Sequence, residues 1–150
     1  MSEIRIESFE LDHTKVKAPF VRKSSKYVGE KGDIVQKYDL RFTQPNEELM
    51  STDGVHTLEH LLATFMREEI GDVIDVSPMG CRTGFYMITF GEKGLSEVKQ
   101  ALNNSLVKVL ETEEVPATNE IQCGNYKDHS LKKAKKYADK VLKQGLREMV

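Results

Sequence analysis

The sequence predicts an α+β protein, an antiparallel sheet packed with helices, and three observations carry that expectation. First, "QKYDLRFTQ" alternates apolar Tyr38, Leu40 and Phe42 with polar Lys37, Asp39 and Arg41, the period of a half-buried strand. Second, three longer stretches repeat their apolar residues at helical spacing. Third, the strand-like segments come in consecutive pairs between helices, an order that an antiparallel sheet with helices packed on it satisfies most simply.

Along the chain, "IRIESFEL" alternates and reads as a first strand, and "KSSKYVGEKGD" carries turn residues and reads as a loop. "QPN" ends the strand around Tyr38. Asp53 is placed to cap a helix running to about Glu69, with Gly71 as its stop. "DVIDVS" and "GFYMITFG" form two strands joined by "PMGCRT". "SEVKQALNNSLVKVLE" and "SLKKAKKYADKVLKQGLRE" are amphipathic helices, the second capped by Ser130. Between them "TEEVPATNEIQCGNYKD" is irregular and long enough to carry function. The predicted order is β-β-α-β-β-α-loop-α.

At 150 residues the chain fits one domain, 1–150, with no internal repeat and no linker rich in Gly, Ser or Pro. A net charge of −2 offers no basic field for nucleic acid, and no apolar run reaches the roughly 20 residues of a membrane span. The first residues, "MSEIRIESFELD", are charged and lack the apolar core of a secretion signal. Two cysteines, Cys81 and Cys123, are expected as free thiols in a reducing, cytoplasmic setting. The lysines of "LKKAKKYADKVLK" fall opposite Leu131, Ala134, Val141 and Leu142, so they form a solvated helix face.

The stretch "HTLEHLLA" carries chemistry. At about 100° per residue, His56, Glu59 and His60 share one face of the helix, and two histidines a turn apart can grip one metal ion. The core stripe of Val55, Leu58, Leu61, Leu62, Phe65, Met66 and Ile70 centres roughly 150° away from them. Ala63 on the histidine face leaves room for a cover. H-x-x-E-H is the inverted zinc-peptidase pattern, with the glutamate a candidate base. It needs a third ligand. Cys123, followed by Gly124 in the irregular segment, can supply one, and a thiolate would favour zinc or ferrous iron. Cys81, between Gly80 and Gly84, sits where a side chain can be aimed into a cleft, and Arg82 could stabilise its thiolate. Spacing alone leaves both a closed His2Cys2 structural site and an open catalytic one standing. His129, in "KDHSL", is assigned to a cap or the surface ahead of a fourth-ligand role.

"ESFELDHTKVKAP", "YDLRFTQPN", "HTLEHLLA", "DVSPMGCRTGFYM" and "QCGNYKDHSL" occur in order over nearly the whole chain. Together they resemble the LuxS, or S-ribosylhomocysteine lyase, family. The resemblance implies a homodimeric cytosolic enzyme with a fold akin to the inverted-motif metallopeptidases. It implies one divalent metal per subunit, Fe2+ natively, with Zn2+ or Co2+ able to substitute. His56, His60 and Cys123 match the family's metal ligands, Glu59 its general base and Cys81 its acid/base cysteine. Ser8, His13 and Arg41 match substrate-pocket positions contributed by the neighbouring subunit, and Asp75 a position near the homocysteine end. The implied reaction moves a carbonyl along the ribose and then eliminates homocysteine. On this reading the partner subunit covers the metal face. The rival readings are a metal-dependent hydrolase that leaves Cys81 idle and a purely structural zinc module.

Overall fold

The computed structural model describes residues 3–150. Its elements are α1 (Glu7–Glu10), β1 (Phe20–Val28), β2 (Ile34–Arg41), α2 (Thr52–Glu69), β3 (Val73–Pro78), β4 (Gly84–Phe90), α3 (Leu95–Glu111), α4 (Leu131–Gln144) and β5 (Arg147–Met149). The strands form one sheet in the order β3-β4-β2-β1-β5. Every pairing is antiparallel except that of β5 with β1. The α+β class therefore holds, with a mixed sheet in place of a wholly antiparallel one.

The core lies between one sheet face and the long helices. Tyr38, Leu40, Phe85 and Met87 meet Leu58, Leu61, Leu62 and Met66 of α2 and Leu102, Leu106 and Val109 of α3, all fully buried. The apolar stripe of α2 thus faces where its spacing put it. Ser51 caps the helix by accepting from the Gly54 amide, and Asp53 accepts from the same amide within the first turn. Gly54 lets α4 approach: a Cβ there would stand 2.5 Å from the Tyr137 ring.

Three expectations are corrected. The "IRIESFEL" segment is no strand; it leads into the single-turn helix α1, and Ile4 and Phe9 stay 87% and 79% exposed. Its alternation had no buried face to serve. The "KSSKYVGEKGD" segment continues β1 to Val28 before turning, because backbone pairing with β2 carries a strand whose side chains are mostly solvated. The final helix stops at Gly145, at φ 83°, and the chain then adds β5 to the sheet edge.

Candidate metal centre and thiol pocket

The 112–128 segment is irregular, as its composition indicated, and it folds back over the exposed face of α2. Its backbone carbonyls set the two helical imidazoles. His56 Nδ1 lies 2.9 Å from the Asp128 carbonyl, and His60 Nδ1 lies 2.8 Å from the Pro116 carbonyl. A carbonyl only accepts, so each Nδ1 carries the proton and each Nε2 keeps its lone pair for a metal. Cys123 Sγ stands 3.4 Å from His56 Nε2. One ligand atom from each of His56, His60, Cys123 and His129 lies within 4.8 Å of the others. Ligands around a shared tetrahedral ion sit about 3.6 Å apart, so this donor set fits a borderline or soft divalent metal.

Part of the cover over the histidines comes from the chain's own 112–128 segment and His129. His129, assigned to a cap or the surface, instead packs its ring on His56 at 3.9 Å between centroids. Its Nε2 faces Cys123 Sγ at 3.8 Å, and its Nδ1 meets the Thr57 hydroxyl at 3.0 Å. Burial, followed by the neighbouring His56 and His60, lowers the His129 pKa to about 4. Its position six residues after Cys123 and one before the α4 cap was the available signal. Spacing within one helix could not reveal it.

Glu59 lines two clefts beside this cluster. One, of about 360 Å³, includes His56, Pro78, Met79, Gly80 and Arg82; the other, of about 380 Å³, includes His60, Ala63, Asp75 and Gln122. Asp75 therefore joins the metal side.

Cys81 is not part of the metal cluster, which removes the closed His2Cys2 alternative. Both cysteines are free thiols. Cys81 opens onto a cavity of about 430 Å³ with His13, Arg41, Leu49 and Thr83, and onto one of about 320 Å³ with Ser8, Phe9, His13, Arg41 and Tyr86. Ser8, His13, Arg41 and Cys81 are thus brought together in one chain. Met79 and Gly80 line both this second cavity and the Glu59 cleft, so the loop bearing Cys81 divides the two halves. A side chain on Gly84 would lie 2.3 Å from the Leu40 carbonyl, and its absence lets that loop dock tightly on β2.

Behind the thiol stands a buried ionic network on the sheet face that alternation had marked as solvated. Asp39 is fully buried and accepts from Arg41 Nη2 at 2.8 Å and from Arg22 Nη2 at 3.0 Å. Arg22 also pairs with Glu7 of α1. Burial raises the Glu7 carboxyl, but hydrogen bonds from Arg22 and Ser24 outweigh it and hold the pKa below the usual range. Arg41 Nη1 donates to Thr83 Oγ1 at 3.0 Å, and that hydroxyl lies 3.1 Å from Cys81 Sγ. Because the Thr83 oxygen accepts a hydrogen bond from Arg41, its own hydrogen is available to the sulfur. The guanidinium that shares the Cys81 cavities is that of Arg41, whereas Arg82 lines the Glu59 cleft. Burial, with the Asp39 charge second, raises the Tyr86 hydroxyl pKa in the same pocket. None of Thr83, Asp39 or Thr57 was singled out by the sequence.

Among the described residues, no helix is long and apolar enough to cross a membrane. The S-Ribosylhomocysteinase (LuxS) family profile matches residues 6–150. A Clostridium perfringens protein named S-ribosylhomocysteine lyase is 61% identical over 143 residues, covering 95% of each chain. Proteins of the same name from Clostridioides difficile strain 630 and Enterococcus faecalis V583 are each 57% identical, over 94% and 95% of this chain and 93% of their own. Coverage this complete leaves no part of the two half-sites outside the likeness, and the chain belongs to the S-ribosylhomocysteinase (LuxS) family.

Proposed function

We propose that the chain, read as a single domain over 1–150, is a metal-dependent carbon–sulfur lyase acting on S-ribosylhomocysteine. Its products are homocysteine and 4,5-dihydroxy-2,3-pentanedione, precursor of a quorum-sensing autoinducer. The observation that carries this reading is a cluster of His56, His60, Cys123 and His129 accompanied by a second thiol, Cys81, kept out of it. A structural zinc site has no use for that thiol, and neither has a hydrolase. The relatives' shared name points the same way.

In the open-chain sugar the carbonyl at C1 is too far from the carbon–sulfur bond to assist its cleavage. Moving it to C2 and then to C3 makes loss of the thiolate a β-elimination. Each move takes a proton from a carbon beside the carbonyl and returns one to its neighbour. The divalent ion, which we take to be Fe2+ with Zn2+ or Co2+ able to replace it, supplies Lewis acidity toward the sugar oxygens when bound at His56, His60 and Cys123. Glu59, beside the cluster, and Cys81, hydrogen-bonded through Thr83 toward Arg41, carry the protons. Ser8, His13 and Arg41 bind the sugar, and Asp75 serves the homocysteine end.

The separation of the two halves by the Met79–Gly80 loop supports a homodimer in which Ser8, His13 and Arg41 reach the neighbour's metal centre. Phe9 and Leu49, 79% and 55% exposed at the rim of the thiol pocket, supply apolar contact for it. Free thiols suit a cytoplasmic setting. Kinship of the fold with the inverted-motif metallopeptidases belongs to the same reading.

Incubating the protein with S-ribosylhomocysteine should release free thiol, stop on chelation and resume with Fe2+ or Co2+. Peptide cleavage without thiol release would overturn the assignment. Mixing unfolded His60→Ala and His13→Ala chains and refolding them together should restore about a quarter of wild-type turnover, one intact site in each mixed dimer. No recovery would place His13 and the metal in one chain's site.

A further inference from the structure

The three histidines of the cluster are held differently, and the difference assigns them different work. His56 and His60 give their Nδ1 protons to backbone carbonyls, leaving Nε2 as a ligand. His129 Nδ1 faces the hydroxyl of Thr57, a fully buried residue. That hydroxyl already accepts from the Ser130 amide at 2.9 Å, because an amide can only donate. Its own hydrogen then goes to its other partner, His129 Nδ1. Were Nδ1–H the donor instead, a buried hydroxyl hydrogen would be left without an acceptor. A neutral imidazole accepting at Nδ1 carries its proton on Nε2, and an Nε2–H has no lone pair for a metal. What Nε2 faces is Cys123 Sγ, 3.8 Å away.

We propose that His129 is a positioning residue for the Cys123 thiolate, donating Nε2–H to the sulfur with Thr57 fixing its tautomer, and not a fourth metal ligand. The stacking of its ring on His56 holds the donor in place. A hydrogen bond to a ligating thiolate draws charge off the sulfur. It also settles the sulfur's orientation. This inference rests on Cys123 being a metal ligand.

The test uses the cobalt(II)-loaded protein and reads the thiolate-to-metal charge-transfer band, metal transfer to a competing chelator and the nitrogen count from X-ray absorption. In His129→Leu the band should move to lower energy and metal affinity should fall about 10-fold or more, with the nitrogen count unchanged. His129→Gln places an amide N–H near the former Nε2 and should restore most of the band position. Thr57→Val, which frees the tautomer, should shift the band partway. A His129→Leu band identical to wild type would overturn the proposal, as would loss of one nitrogen ligand. If the wild-type protein itself shows no thiolate band, the Cys123 assignment fails instead, so the two failures are distinguishable.

Discussion

The metal centre and the thiol pocket are built on opposite principles. The candidate metal ligands come from one helix and one irregular segment, and the two helical imidazoles are oriented by neutral contacts, the carbonyls of Asp128 and Pro116. The thiol pocket is built on the sheet, and buried charge organises it through the sequence Glu7–Arg22–Asp39–Arg41–Thr83–Cys81. A site assembled from imidazoles that keep a free Nε2 lone pair, together with a sulfur, brings no positive charge of its own among the donor atoms. The Cys81 sulfur meets a hydroxyl that Arg41 holds from behind, and Asp39 keeps that guanidinium in place. Two thiols alike in chemistry thus stand in different surroundings, one among imidazoles and one beside a hydroxyl held by a buried ion-pair network.

Substitution can break the comparison cleanly. Cys123→Ala should abolish tight metal binding and with it all turnover, as read by metal analysis after gel filtration. A full equivalent of tightly held metal in that variant would reject the ligand assignment. Cys81→Ala and Glu59→Gln should keep a full equivalent of metal yet lose about 10²–10⁴-fold in turnover apiece. Near-normal thiol release by Cys81→Ala would deny that thiol its role.

The smallest effect sharpens the charged half. Glu7 has a depressed pKa in the folded chain, so its contribution to stability is complete above about pH 4.5. It is lost as pH falls through the lower folded value, since the unfolded state then binds the proton more readily. Melting temperatures of the metal-free protein should therefore decline on acidification from pH 5, and Glu7→Gln should flatten that limb. An unchanged limb would mean the Glu7–Arg22 pair does not anchor α1.

The histidine pair was legible because a helix repeats about every 3.6 residues, so His56, Glu59 and His60 had to share a face wherever that helix packed. The strand through Tyr38 and Leu40 was legible for the same kind of reason, and its apolar face is indeed core. What alternation could not tell was that Asp39 and Arg41, on the other face, are buried as well. Their cover includes α1 and His13 beyond it, and the exposed Ile4 and Ile6 just before α1 are what imitated a strand.

Local spacing and residue chemistry by themselves determined the α2 ligand face, the irregular 112–128 segment and the presence of two thiols available for separate work. Only the folded chain decided which carbonyls set the imidazole tautomers, that His129 turns inward and that Cys81 answers to Arg41 through Thr83. The physical reason is range. Periodicity fixes where a side chain points within its own element, whereas these partners are 42 to 72 residues apart and meet only when the sheet and the helices pack.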